Sequence, residues 1–404
     1  MRRTAVVTGL GVVAPTGIGT KAYWAAALDG RSGLGRMTRM DPSGYPIKVI
    51  GEVPDFVPAD LLPSRVVVET SLMTQFGLVC ADEALRDGDL DPKEQPEYEM
   101  SVVTANATGG AEFGQREMQN LYTKGPQQVG AYMAIAWFYA ANSGQISIRH
   151  GMRGPSGVFI TDQAGGLDCV GQARRVIRDR STFTLAGGTD SSFSPSGLVG
   201  QIPPGLVSLS EDPARAYLPF DTAAAGYAPG EGGAILLVEE AASARARGVR
   251  PYGEIAGYAT AFDPHPRTGR GPNLRRAVEA ALADAGTAPA DVDVVFADGY
   301  GVPELDRIEC EALAGVFGAG AVPVTLPKTA TGRLYAAGPT VDLVAALLSI
   351  RHGVIPPTIN VTDVSGHCPV DLVRDEPRET PVRTALVIAR GYNGFNAAVV
   401  VKAV

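Results

Sequence analysis

Gly157-Val158-Phe159-Ile160-Thr161-Asp162-Gln163-Ala164-Gly165-Gly166-Leu167-Asp168-Cys169-Val170-Gly171 is the stretch on which the reading of this chain turns. Residues 157–161 are apolar and β-branched enough for a buried strand, whereas Leu167, Val170, Gly171 and Ala173 follow the three-and-four spacing of a packed helix face. Between them the chain must turn sharply from strand to helix, with Gln163 at the apex. A side chain there points into a site, and the helix behind it offers unpaired N–H groups and a partial positive charge that would activate a thiol. Glutamine has no anionic form and its amide nitrogen is not basic, so it donates and accepts hydrogen bonds but cannot carry an acyl group. The turn is a seat for a nucleophile that lacks the nucleophile.

Outward from this turn, strands alternate with amphipathic helices such as 273–285, in the manner of α/β folds with helices on both faces of a sheet. With 404 residues, 45% of them hydrophobic, the chain can bury a large core as one big or two fused domains. Two similar halves are expected. Residues 1–250 run from a strand at 4–7 through Gln163 to a strand at 233–239. Residues 251–404 run from Tyr252 through strands at 292–297 and 385–389 to a last strand at 397–402. The charged, alanine-rich 241–250 would bridge them.

Several function classes are set aside by the same reading. The longest apolar stretches, 129–139 and 340–350, are too short or too polar to span a bilayer, and Met1-Arg2-Arg3 runs into a strand without a signal-peptide core, so a cytoplasmic protein is expected. Cys80, Cys169, Cys310 and Cys368 form no C-x-x-C pair, and His150, His265, His352 and His367 have no ligand spacing. Neither a metal site nor a disulfide frame is expected. A net charge of −8 argues against nucleic acid as a partner. Thr8-Gly9-Leu10-Gly11-Val12-Val13-Ala14 matches the loose dinucleotide fingerprint with Asp29 downstream. Its context fails, because Pro15 and Gly17 interrupt the helix that should point at a pyrophosphate, and Asp29 ends a helix (22–28) where a strand end is required.

The segment around Gln163 resembles the active-site turn of β-ketoacyl-acyl carrier protein synthases, with Gln163 at the position of the acyl-accepting cysteine. Ala297-Asp298-Gly299-Tyr300-Gly301, followed by Asp306 and Glu309, is similar to the stretch carrying the first catalytic histidine, and Asp298 stands in its place. Lys328-Thr329-Ala330-Thr331-Gly332-Arg333, followed by Ala336-Ala337-Gly338, is similar to the stretch carrying the second, and Arg333 stands there. Gly391-Tyr392-Asn393-Gly394-Phe395-Asn396 resembles the glycine-rich loop under the active site. The opening Val6-Val7-Thr8-Gly9-Leu10-Gly11 and the stretch from Pro219-Phe220-Asp221 to Gly230-Glu231-Gly232 agree as well. Three altered chemical positions on an intact scaffold, together with Thr104-Ala105-Asn106-Ala107-Thr108-Gly109-Gly110, resemble the chain length factors, the ketosynthase β subunits of bacterial type II aromatic polyketide synthases.

The resemblance implies a thiolase-like five-layer α/β/α/β/α fold with two pseudo-twofold-related halves. It implies a non-condensing subunit of an acyltransferase complex that pairs with the catalytic ketosynthase α subunit as a heterodimer. Acyl groups would arrive on the phosphopantetheine of an acyl carrier protein, with no cofactor or metal of the chain's own. The family's chain-length gate would fall on Ala111, Gly114 and Met118, and on residues around 134–138 on the facing wall. If 111–118 is helical these residues face one way and leave room for a long poly-β-ketone, so Ala111→Phe should shorten the product.

From chemistry alone, Asp298 and Arg333 are expected to pair, because a buried carboxylate and a buried guanidinium each need a partner. The alternative is two unrelated surface charges. Gln163 either satisfies neighbouring backbone or holds the site in an acylated-looking shape. Decarboxylation of malonyl-carrier protein, or priming, needs neutral donors at an enolate oxygen, and Asp298 supplies the wrong charge. Cys169, as an unexpected nucleophile, should face the core. Arg174, Arg175, Arg178 and Arg180 are either a docking patch for an acidic carrier protein or a solvated helix face. A purely structural partner remains the third reading.

Overall fold

The computed structural model describes residues 3–404; Met1 and Arg2, read above as part of the lead-in to the first strand, lie outside the described residues. The first half contains β1 (Ala5–Ala14), α1 (Leu72–Asp87), β2 (Met100–Ala105), α2 (Ala111–Lys124), α3 (Ala141–His150), β3 (Ser156–Phe159), α4 (Gly165–Asp179), β4 (Phe183–Asp190) and β5 (Gly232–Glu240). The second contains β6 (Gly253–Phe262), α5 (Leu274–Ala285), β7 (Val294–Phe296), α6 (Pro303–Phe317), β8 (Pro323–Thr325), α7 (Gly338–His352), β9 (Asp371–Leu372), β10 (Thr384–Gly391) and β11 (Phe395–Lys402).

The strands lie side by side in the order β9-β8-β7-β10-β11-β6-β1-β5-β4-β2-β3. Each half follows one plan. The first strand pairs antiparallel with the last (β1 with β5, β6 with β11), and the last pairs antiparallel with the strand before it. Two parallel neighbours then complete the run (β4-β2-β3 and β10-β7-β8). The half-sheets join where Val6 and Val7 pair with Glu254 and Gly253. This repeated topology is the pseudo-twofold that residue identity was too weak to reveal.

Helices α4 and α7 pack against strands of both halves and against each other, α1 and α3 cover the outer face of the first half-sheet, and α5 backed by α6 covers that of the second. The result is five layers. Helix α7 is buried continuously from Gly338 to Ser349, as a helix with sheet on both sides must be. That is why 340–350 reads as a long apolar run in a chain with no helix long and apolar enough to cross a membrane among its described residues. On β1, a Cβ at Gly9 would lie 2.0 Å from the Ala84 carbonyl oxygen and one at Gly11 would lie 1.9 Å from that of Cys80. These glycines let α1 press onto the strand. The strand continues past them to Ala14 and folds back through Pro15 into Gly17–Ile18, so the dinucleotide fingerprint opens no helix.

Element boundaries differ from expectation in instructive ways. The strand read at 157–161 stops at Phe159, because the chain must already turn to place Asp162 at a left-handed φ of 50°. The bridge read at 241–250 contains a short helix, Ala241–Arg247, whose first amides donate to the Glu240 carboxylate. The apolar stretch 129–139 does not go inside: Ile135, Trp137 and Phe138 are each about half exposed.

Candidate functional site

The site lies at the N-termini of the two central helices. At the turn before α4, Asp162 takes the left-handed conformation and its carboxylate accepts from the Tyr392 amide at 2.6 Å. The loop Gly391–Asn396 therefore sits against the turn, and a Cβ on Gly391 would come within 2.8 Å of the Thr161 carbonyl oxygen. Gln163 follows, 4% exposed. In the first turn of α4, Gly166 approaches the segment before α7 so closely that a Cβ would lie 2.3 Å from the Ala336 carbonyl oxygen. These small residues bring the start of α4 against the segment that leads into α7.

Asp298 and Arg333 do pair, and both are buried. The guanidinium forks onto the carboxylate, Nη1 to Oδ2 at 2.9 Å and Nη2 to Oδ1 at 3.3 Å. Nη1 also donates to the carbonyls of Asp298 and Gly299, and Nη2 to that of Arg390. The remaining donor, Nε, meets Gln163: in the amide orientation that satisfies both ends, its oxygen accepts from Nε at 2.8 Å and its nitrogen donates to the Tyr335 carbonyl at 3.2 Å. The guanidinium stacks 4.0 Å from the centroid of Tyr300 and 5.3 Å from that of Tyr227. Burial by itself would lower the Arg333 pKa, but Asp298 together with Tyr217 and Tyr300 outweighs it and the net shift is upward. Every N–H of the group is engaged, so none is left for a developing oxyanion.

A second tier of charge surrounds the pair: Lys328 and Glu309 belong to the stretches quoted from sequence, whereas Asp342 and Arg390 were not singled out there. Lys328 bonds Asp342 at 2.6 Å and stands 4.0 Å from Asp298. Burial raises the Asp342 carboxyl to about 6, with Lys328 opposing the rise. Glu309 accepts from the amides of Asp298 (2.7 Å) and Gly299 (3.1 Å) and faces Arg390 at 3.6 Å. The legible signal was Asp342, one carboxylate within the otherwise apolar run 340–350. Its partner Lys328, fourteen residues earlier, opens the stretch that carries Arg333, but nothing in that stretch marked the two as a pair.

Cys169 faces inward as expected: it is fully buried, its thiol donates to the Gly166 carbonyl at 3.1 Å, and burial pushes its pKa well up. It is no nucleophile. The arginine cluster needs correction. Arg174 is 5% exposed and is bonded to Asp284 and the Ala256 carbonyl, so it ties α4 to the second half-sheet. Arg175 and Arg180 are exposed, and Arg180 pairs with its neighbour Asp179 at 3.9 Å.

Ala111, Gly114 and Met118 occupy α2 at three- and four-residue spacing, beside the inward stripe of Phe113 and Glu117. None of the larger cavities described is lined by them. Their surroundings are open, with Met118, Tyr122, Ile135, Trp137 and Phe138 on the surface. A cavity of about 950 Å³, the largest of those described, lies instead between the Gly391–Asn396 loop and the segment 262–272, and it ends against Tyr300 and Arg390. Those residues adjoin Arg333, which closes the way inward.

The family model described as the β-ketoacyl synthase N-terminal domain matches residues 2–244, and that of the C-terminal domain matches 252–362. The tetracenomycin polyketide synthase ketoacyl synthase β subunit of Streptomyces glaucescens is 56% identical over 399 residues, covering 98% of each chain. Among solved structures, the ishigamide ketosynthase/chain length factor superposes with a TM-score of 0.91 at 28% identity over the whole of both chains. A type II polyketide synthase acyl-carrier protein in complex with its ketosynthase bound to a hexaketide superposes with a TM-score of 0.89 at 27% identity, again over both chains entirely.

Proposed function

The chain belongs to the β-ketoacyl synthase family, in its branch of polyketide ketosynthase β subunits or chain length factors, and from that premise we propose that it elongates nothing by itself. It is the non-condensing partner of a catalytic ketosynthase in a minimal type II polyketide synthase. Malonyl units carried on the phosphopantetheine of an acyl carrier protein are condensed on the partner's cysteine. The growing poly-β-ketone extends into a tunnel formed where the two subunits meet, and this chain sets its length through the wall at Ala111, Gly114 and Met118.

The observation that carries this reading is the filled reactive centre. The three positions that would hold nucleophile and histidines are joined into one hydrogen-bonded unit, Gln163–Arg333–Asp298, within an otherwise complete scaffold. A closed centre supports a partner role over an independent decarboxylase, which needs free donors. The open apolar surface around α2 and the outer edge of β3, unpaired among the described residues, support a subunit that expects a second one against it.

The test is to supply malonyl-carrier protein to this chain alone, to the cognate ketosynthase alone and to both, and to follow products by mass spectrometry. Product from the mixture only is expected. Elongation by this chain alone would contradict the role assigned to Gln163, Asp298 and Arg333.

A further inference from the structure

Asp168 is a carboxylate on the packed stripe of α4, buried between Leu167 and Cys169, and it takes no part in the Gln163–Arg333–Asp298 unit. Both of its oxygens accept from hydroxyls. Oδ2 accepts from Thr161 Oγ1, just before the turn, and Oδ1 accepts from the Tyr258 phenol at 2.7 Å. Burial raises the Asp168 carboxyl pKa, and these two bonds oppose the rise. Tyr258 belongs to β6 in the second half, and its ring lies on the backbone of α4: a Cβ on Gly171 would come within 2.5 Å of its Cδ1. The Tyr258 amide donates at 3.0 Å to Asp284, the same carboxylate that holds Arg174. Two acidic groups therefore fasten α4 to the second half-sheet, and of the two it is Asp168 that also reaches the turn.

The ladder between β2 and β3 ends at Ala105 and Phe159, with the Asn106 amide donating to the Phe159 carbonyl at 3.3 Å. Beyond it Ile160 is half exposed, and the chain passes through Thr161 to Asp162 at its left-handed φ. Two side-chain bonds hold this passage, Thr161 to Asp168 and Asp162 to the Tyr392 amide. We infer that Asp168 is a positioning residue: through the Thr161 hydroxyl it sets where the chain leaves β3, and so the shape of the edge at Ile160 that the ketosynthase partner meets. This rests on the reading of the chain as a partner subunit. A carboxylate bonded on both oxygens is held in one rotamer, and the hydroxyl that donates to it is held with it. Because Tyr258 supplies the second of those bonds, the edge of the first half is fixed in place by the second half.

The decisive experiment measures association with the cognate ketosynthase by analytical ultracentrifugation, alongside the unfolding midpoint of the isolated chain. Asp168→Ala is expected to weaken pairing about tenfold, the worth of one hydrogen bond. Thr161→Val should do the same while leaving the Tyr258 contact in place. Thr161→Ser and Asp168→Asn, which keep a bonding pair at 161 and 168, should return pairing to near the parent value. Asp284→Ala controls for a merely structural role: it should lower the unfolding midpoint by releasing Arg174 but leave pairing unchanged. Parent-like pairing of Thr161→Val would overturn the assignment, as would an equal loss of pairing in Asp284→Ala. Where Asp168→Ala does not fold, Thr161→Val decides by the same criteria. Failure of the unmodified chain to pair would instead overturn the partner reading itself.

Discussion

Replacing Asp298 with alanine leaves Arg333 buried with its charge and no carboxylate, while Lys328, 4.0 Å from Asp298, keeps Asp342 as its partner. A broken buried pair of this kind costs about 3–5 kcal/mol, whereas replacing both members by apolar residues is often close to neutral. Urea unfolding should therefore find Asp298→Ala far less stable than the double variant Asp298→Leu/Arg333→Met; equal stabilities would mean that the pair is not a unit. A pH test addresses Asp306, which accepts from the amides of Phe220 and Gly301 and whose carboxyl burial raises to about 7. Because the folded value exceeds the unfolded one near 4, the native state holds the extra proton between those limits, and stability from this group falls as pH rises through that window. The stability gap between the parent and Asp306→Asn should narrow from pH 4 to pH 7 by at most about 1.4 kcal/mol per unit, and a gap independent of pH would refute the assignment. Gln163, Asp298 and Arg333 were legible because each sits in a short stretch that keeps its glycines and neighbours while changing its chemical residue. Arg174 was misread because a run of arginines looks solvated, although 174 falls next to Ala173 on the helix's packed stripe, where Asp284 awaits it.

Close approach between elements is written in glycine. With the Cys80 carbonyl oxygen 1.9 Å from the place a Cβ would take on Gly11, Gly11→Ala must push α1 off β1. Overpacking of this kind costs about 1–3 kcal/mol, so thermal unfolding of Gly11→Ala should come at a clearly lower temperature than that of Gly35→Ala, where nothing lies within 4 Å. Similar losses at both sites would show that the strand–helix contact is less tight than drawn. The same glycines mimicked a nucleotide fingerprint, and Pro15 was enough to reject it, since a strand that turns back into a hairpin cannot aim a helix at a phosphate. Alternation of strands and helices was readable, as were the two central helices. The strand order that the two halves share, apart from the extra β9 of the second, was not, because topology is fixed by which apolar faces meet across long loops, and the residues that satisfy this differ between the halves.

At the scale of the whole molecule the first half-sheet ends in an edge, and that edge is the most informative surface left open. Strand β3 has no partner beyond it among the described residues, its residues are only partly buried, and Ile160 just past it is 50% exposed. An isolated chain pays for such an edge with a risk of aggregation, and proteins retain one where another subunit covers it. The apolar surface formed by Met118, Trp137 and Phe138 would be covered in the same event. A charge placed at the edge should thus separate assembly from folding. Ile160→Asp sits where half the side chain already meets water, so the circular dichroism spectrum and unfolding midpoint of the isolated chain should hardly change. In the pair, the same carboxylate would be buried without a counterion, at about 2 kcal/mol or more, which weakens association by roughly 30-fold. Size exclusion with the ketosynthase partner measures this directly. A variant that pairs as tightly as the parent would place the interface on another face and remove α2 from the tunnel, whereas one that folds alone, fails to pair and makes no product would tie elongation to the contact across β3.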